Sequence, residues 1–199
     1  DWVMIKRRND ANAWVVWTKD LSDNYAFEGL NTVGAAISGG SPISKYVDAV
    51  SSTLVSVGDA SEVNANTGTY VMYCFASVEG YSKVGTYIGN GAQDGPFVYT
   101  GFRPAWLMVK SSSMTNSETN WVIWDNERNG YNDNVQVFAN RSWAEGQRDD
   151  NGGAGISDLD ILSNGFKHRD STWAQNGQSG ATFVYLAFAE TPFKYANAR

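Results

Sequence analysis

Trp2-Val3-Met4-Ile5-Lys6, followed by Trp14-Val15-Val16-Trp17, is answered later in the chain by Trp106-Leu107-Met108-Val109-Lys110 and Trp121-Val122-Ile123-Trp124. Six of the eight tryptophans fall in these two matching sets. A third pair extends the match, Gly68-Thr69-Tyr70-Val71-Met72-Tyr73-Cys74-Phe75-Ala76 against Gly180-Ala181-Thr182-Phe183-Val184-Tyr185-Leu186-Ala187-Phe188-Ala189. The offset grows from 104 residues (2 to 106) to 113 (76 to 189), so loops differ in length while apolar segments persist. Self-similarity of this kind marks an internally duplicated unit. In Trp2–Lys6 one parity carries Trp, Met and Lys and the other Val and Ile, so both faces are apolar, as in a strand between two layers.

Composition agrees with strands. Aromatics are 14% of 199 residues, charged residues only 18%, and there are 20 glycines. That mixture suits short strands joined by Gly/Asn/Asp turns more than a helical bundle. Alternation predicts strands near 2–6, 13–18, 25–31, 53–57 and 69–77, then near 105–110, 120–125, 134–139, 159–162, 166–170 and 181–189. Asn9-Asp10, Asn129-Gly130, Asn164-Gly165 and Asn176-Gly177 are the turn signals between them. Ser44 to Leu54 has the best helical spacing, but Pro42 and Ser51-Ser52 leave it one short turn at most.

The expected fold class is therefore all-β: two tandem antiparallel β-sandwich modules, jelly-roll or concanavalin-like, related by duplication, over residues 1–84 and 85–199. Tyr87–Gly91 and Phe97–Phe102 read as strands opening the second module. The first copy has no equivalent, because Asp1 leads directly into the Trp2 strand. A sheet without its opening strands presents unpaired backbone groups. Either the sequence is a fragment, or another chain completes the edge near Trp2 by strand addition.

The net charge of −6 argues against nucleic acid or an anionic membrane as partner, because nothing supplies a basic stripe. Lys6, Arg7 and Arg8 form the only basic cluster and read as a solvated strand end. No stretch approaches the ~20 apolar residues that span a bilayer. Cys74 is the single cysteine, so no disulfide framework exists, and its apolar setting predicts a buried thiol.

Tyr87-Ile-Gly-Asn-Gly91, the run Asp94 to Lys110 (DGPFVYTGFRPAWLMVK), Ile161-Leu-Ser-Asn-Gly-Phe-Lys167 and Phe188-Ala-Glu-Thr-Pro-Phe-Lys194 together resemble repeat modules of tail-fibre and appendage proteins of marine bacteriophages. The resemblance covers essentially the whole chain as two modules. It implies a virion structural protein, partnered by its own copies or other virion proteins and located on the particle. It supplies no catalytic residues.

The chemistry-bearing residues are few. His168, the only histidine, is flanked by Lys167 and Arg169 and reads as exposed and inert. One histidine and one cysteine exclude the usual zinc clusters. Asp149, Asp150, Asp158 and Asp160 offer hard oxygen donors, so calcium is possible, although the spacing is not that of an EF-hand. A depolymerase would need two carboxylates across a glycosidic bond, and Asp158 with Asp160 share one strand face instead. No catalytic residue and no enzymatic activity is expected. Trp143 and Trp173 lie outside the duplicated pattern. With Glu145, Gln175 and Asn176 they could stack on a host-surface sugar and bond its hydroxyls, cap a core, or anchor a subunit contact.

Overall fold

The computed structural model describes residues 1–21, 25–30, 32, 36–38, 46–114, 119–128, 135–146, 159–171 and 175–192. The fold is all-β with several antiparallel sheets. In the first half the strands are β1 (Trp2–Arg7), β2 (Val15–Thr18), β3 (Tyr25–Glu28), β4 (Ile37–Ser38), β5 (Val47–Val50), β6 (Val55–Val57) and β7 (Tyr70–Phe75), with one helical turn, α1 (Ser61–Asn64). The rest are β8 (Ser82–Ile88), β9 (Phe97–Tyr99), β10 (Pro104–Ser111), β11 (Val122–Asp125), β12 (Val137–Phe138), β13 (Leu159–Leu162), β14 (Gly165–His168) and β15 (Thr182–Ala189).

Two five-stranded sheets form the body, ordered β4-β3-β2-β1-β7 and β12-β11-β10-β15-β8. The Trp2 and Trp106 strands hold corresponding places, and their registers correspond too. Val3 faces Trp17 and Trp2 faces Phe75, while Leu107 faces Trp124 and Trp106 faces Phe188. Each lysine closing the repeated strand secures the following loop: Lys6 Nζ donates to the Asn12 carbonyl at 2.6 Å, and Lys110 Nζ to the Thr119 carbonyl.

Because both parities are apolar, each large sheet is covered on both sides. Trp2, Val16 and Phe27 of the first sheet meet Val84, Met108, Trp121, Val184 and Leu186 of the second in one seam. Trp121 lies edge-on to Trp2 (6.0 Å) and Phe27 (4.9 Å), and its Nε1–H donates to the Gly29 carbonyl at 2.9 Å. The opposite face of the first sheet (Val3, Ile5, Val15) packs against Tyr46, Val47, Ala60 and Val63, around the β5-β6 hairpin and α1. The opposite face of the second (Leu107, Val109, Trp124, Phe183, Tyr185) packs on the small sheet β13-β14-β9 through Leu159, Ile161, Phe166 and Val98. Among the described residues the two large sheets thus share one apolar seam.

Several expectations need correction. Ser44–Leu54 contains strand β5, because Val47 and Val50 pair with β6 across an exposed turn. Residues 84 and 85 lie inside β8, which pairs with β15. In the β13–β14 hairpin Leu162 pairs with Gly165, which makes Ser163-Asn164 the turn. Gly165 is needed for a different reason: a Cβ there would stand 2.1 Å from the Val98 carbonyl oxygen, blocking the approach of β9. Trp2 is not at an edge. β1 lies between β2 and β7, and among the described residues β7 ends the sheet.

Candidate functional site

The residues expected to bind a glycan do not converge. Trp143 is half-buried, edge-on to Phe138 of β12 at 5.2 Å, with the Arg141 guanidinium over its ring at 4.8 Å. Glu145 takes a 3.1 Å hydrogen bond from Arg128, which also bonds Asp125. Gln175 and Asn176 lie at the other edge of the sheet, beyond β8, and both are buried. Strand spacing puts the two edges roughly 19 Å apart. Trp173 lies outside the described residues.

Asn176 is a structural tie. Its Oδ1 accepts from the Asn90 N–H at 2.8 Å, and its Nδ2 donates to Asn90 Oδ1, the Ala92 carbonyl and the Asp170 carbonyl. The Gln175 carbonyl accepts from the Tyr87 hydroxyl at 2.6 Å. A sugar would have to displace the Asn176 bonds to reach that side chain, at the cost of leaving buried groups unpaired.

Of the carboxylates considered for calcium, Asp149, Asp150 and Asp158 lie outside the described residues. Asp160 is nearly buried and accepts from the Arg169 guanidinium. Among the described residues no group of three His, Cys, Asp or Glu could hold a metal ion. Of the basic cluster, Arg7 pairs with Asp10 at 3.1 Å and Lys6 is turned onto carbonyls, while Arg8 is exposed.

His168 is fully buried, against the expectation of exposure. It shares strand parity with Phe166 and packs 4.9 Å from Tyr87, with Phe166 and Trp124 edge-on. Neither ring nitrogen has a hydrogen-bond partner among the described residues. Burial pulls its pKa down from 6.5 to about 3, so the imidazole is neutral at physiological pH. Burial likewise lowers Lys110 from 10.5 to about 7, with its Nζ about 6 Å from the Phe27 and Trp121 rings.

The feature with most potential for contact lies on the first sheet's margin. Among the described residues β7 pairs only with β1, whereas its counterpart β15 lies between β10 and β8. Met72 and Tyr73 are 39% and 47% exposed, but the corresponding Tyr185 and Leu186 are 3% and 1%. Cys74 is exposed too, contrary to expectation, because the strand that would cover it has no counterpart among the described residues. Beside this margin lies a cleft of about 510 Å³ between the first sheet and the β5–β6 turn, lined by Trp17, Leu54, Cys74 and Phe75 among others.

The described residues thus define an all-β protein whose exposed chemistry is a sheet margin and an adjoining cleft. The chain belongs to the family described as a domain of unknown function, DUF7483, whose model matches residues 1–192 and so runs through both halves. No curated protein is similar to it. No solved structure is similar to it.

Proposed function

We propose that this protein is a non-enzymatic structural component of a bacteriophage particle, in a tail fibre, appendage or surface assembly. It would be built as two tandem sandwich modules derived from one duplicated unit, acting through association with its own copies or other virion proteins. The observation that carries this reading is the repeated register: Val3 against Trp17 and Phe75 against Trp2 recur as Leu107 against Trp124 and Phe188 against Trp106. A framework conserved through duplication, with loops of unequal length, suits rigid display and assembly. The resemblance of its motifs to marine phage fibre modules supports the same setting.

Host-glycan recognition is the weaker alternative, since Gln175 and Asn176 are buried on the edge opposite Trp143. A depolymerase is weaker still, since Arg169 holds Asp160. The test is sedimentation of the purified chain across a range of concentrations, with antibody labelling of intact particles viewed by electron microscopy. Concentration-dependent assembly and label at a defined place on the particle are expected. A monomer at every concentration, with no label on any particle, overturns the proposal.

A further inference from the structure

A second opening lies in the other half, where the turn Ser77–Ser82 meets the turn Tyr99–Gly101 around a cavity of about 420 Å³. Hydrogen bonds pin both walls. Val78 and Ser82 exchange N–H and carbonyl bonds at 3.0 Å, Ser77 Oγ accepts the Val84 N–H at 3.0 Å, and the Ser82 hydroxyl donates to the Ala76 carbonyl at 2.6 Å. Across the cavity the Thr100 and Gly101 N–H groups donate to the Asn164 carbonyl at 3.0 and 3.2 Å. The Thr100 hydroxyl donates to the Phe102 carbonyl at 2.6 Å. Phe102 itself is buried in the core cluster with Leu107 and Trp124, so the core of this half is filled by its own residues and the cavity stands outside it.

Three polar groups at the cavity are uncommitted. Among the described residues the Glu79 carboxylate, the Lys83 ammonium and the Tyr99 hydroxyl make no hydrogen bond or ion pair. Beside them stand two exposed aromatic rings. Phe97 and Tyr99 of β9 are 46% and 64% exposed, because Val98 between them takes the inward position. Each ring lies against a glycine: a Cβ added at Gly165 would stand 3.0 Å from the Phe97 ring, and one at Gly101 would stand 3.7 Å from the Tyr99 phenol oxygen. Side chains at i and i+2 of a strand share a face and sit roughly 7 Å apart. The apolar surface ends with these two rings. On the same face Lys167, opposite Phe97, pairs with Asp94 at 2.8 Å, and Asp160 takes the Arg169 guanidinium. A protein contact would bury roughly 800 Å² a side around an apolar centre. Two rings bounded by paired charges, next to an uncommitted donor and an uncommitted acceptor, suit instead a small ring that is apolar on its faces and hydroxylated at its rim.

We propose that Tyr99, with Phe97, Glu79 and Lys83, forms a binding site for a neutral saccharide. One sugar ring stacks on Tyr99; the Glu79 carboxylate accepts from its hydroxyls, and the Lys83 ammonium donates to them. The next sugar ring reaches Phe97, one step along the same strand face. The single cation and single anion of the site cancel, and the chain's net charge of −6 repels polyanions, so the ligand is uncharged. The site shares no residue with the set Trp143, Glu145, Gln175 and Asn176, and it stands whether or not the protein belongs to a virion.

The test titrates cellohexaose, maltohexaose, mannohexaose, xylohexaose and chitohexaose into the full chain, with an alginate hexamer as the charged probe, and follows the amide resonances. At least one neutral hexamer should shift the Gly80, Thr100 and Gly101 amides saturably, and the alginate hexamer should bind at least about tenfold more weakly. Tyr99→Ala should weaken the neutral hexamer at least about tenfold, and Glu79→Ala and Lys83→Ala about tenfold each. All three side chains are exposed, so the melting midpoints of these variants should match the parent's. Trp143→Phe, on the opposite edge of the sheet, should leave the affinity unchanged. No shift at these amides with any neutral hexamer at millimolar concentration overturns the inference, as does affinity that survives Tyr99→Ala or falls with Trp143→Phe. Tighter binding of the alginate hexamer overturns the uncharged ligand. Loss of self-association in Tyr99→Ala, without sugar binding by the parent, overturns it in favour of a protein contact.

Discussion

Lys110 and His168 are two basic side chains that the fold takes out of water, and each leaves a signature in the pH dependence of stability. His168 titrates near 6.5 when unfolded and near 3 when folded. The unfolded chain therefore binds more protons at this site as pH falls, so stability is fully present above 6.5 and is lost progressively toward 3. Thermal melts should show a falling midpoint between about pH 6.5 and 5, before most carboxylates titrate, and His168→Leu should flatten that limb. Lys110 has the same sign in another window. Its folded pKa near 7 against 10.5 means that stability rises as pH climbs from 7 toward 10. Heteronuclear NMR of the lysine side chains should find one resonance titrating near pH 7, absent in Lys110→Met. The burial of His168 was legible in its parity with Phe166, but the flanking Lys167 and Arg169 drew the reading outward. Cys74 failed for another reason: a free cysteine is buried only if its strand is covered, and covering is a property of the neighbours.

Strands β1, β2, β7, β10, β11, β13, β14 and β15 were all legible, as runs of β-branched and aromatic residues bounded by turn residues. β4 has two residues and no periodicity to read, and of β8 only the end, Tyr87-Ile88, was visible. The β13–β14 hairpin was visible, though its turn falls one residue earlier than Asn164-Gly165 suggests. Gly165→Ala places a methyl against the Val98 carbonyl and should cost about 1–3 kcal/mol or more, measured by urea unfolding. Asn176→Ala leaves the Asn90 N–H and the Ala92 and Asp170 carbonyls without their partner. A loss of roughly 1–3 kcal/mol, with faster amide exchange at Asn90, is the expected outcome. The glycan and calcium sets were not legible as assemblies, because sequence proximity of Glu145, Asp160, Gln175 and Asn176 carries no information about which sheet edge each one joins.

The whole molecule is held by the seam between its large sheets, and this makes the halves mutually dependent. Trp121 belongs to the second half, yet it packs on Trp2 and Phe27 of the first and bonds Gly29. Trp121→Ala should cost about 3–5 kcal/mol, and the transition should stay single, with calorimetric and van't Hoff enthalpies in agreement. Two separate transitions would show that the seam does not couple the halves. The likeness of Trp2–Trp17 to Trp106–Trp124 was plain in the sequence. That the two sheets built on these segments would bury tryptophan-bearing faces against each other was not, since Trp2 and Met4 share a parity whether that face meets a neighbour of the same chain or another layer of its own half.

The N-terminal amine is bonded to the Phe75 carbonyl, the Phe75 ring lies 5.8 Å from Phe188, and the Ala189 N–H bonds the Tyr81 carbonyl. Both ends of the described polypeptide therefore emerge at one pole, beside the exposed turn Val78–Tyr81 that links the halves. A circular permutant follows: a short linker from Pro192 to Asp1, with the backbone reopened between Glu79 and Gly80, exchanges the order of the halves without severing a ladder. Its circular dichroism and melting profile should match those of the parent.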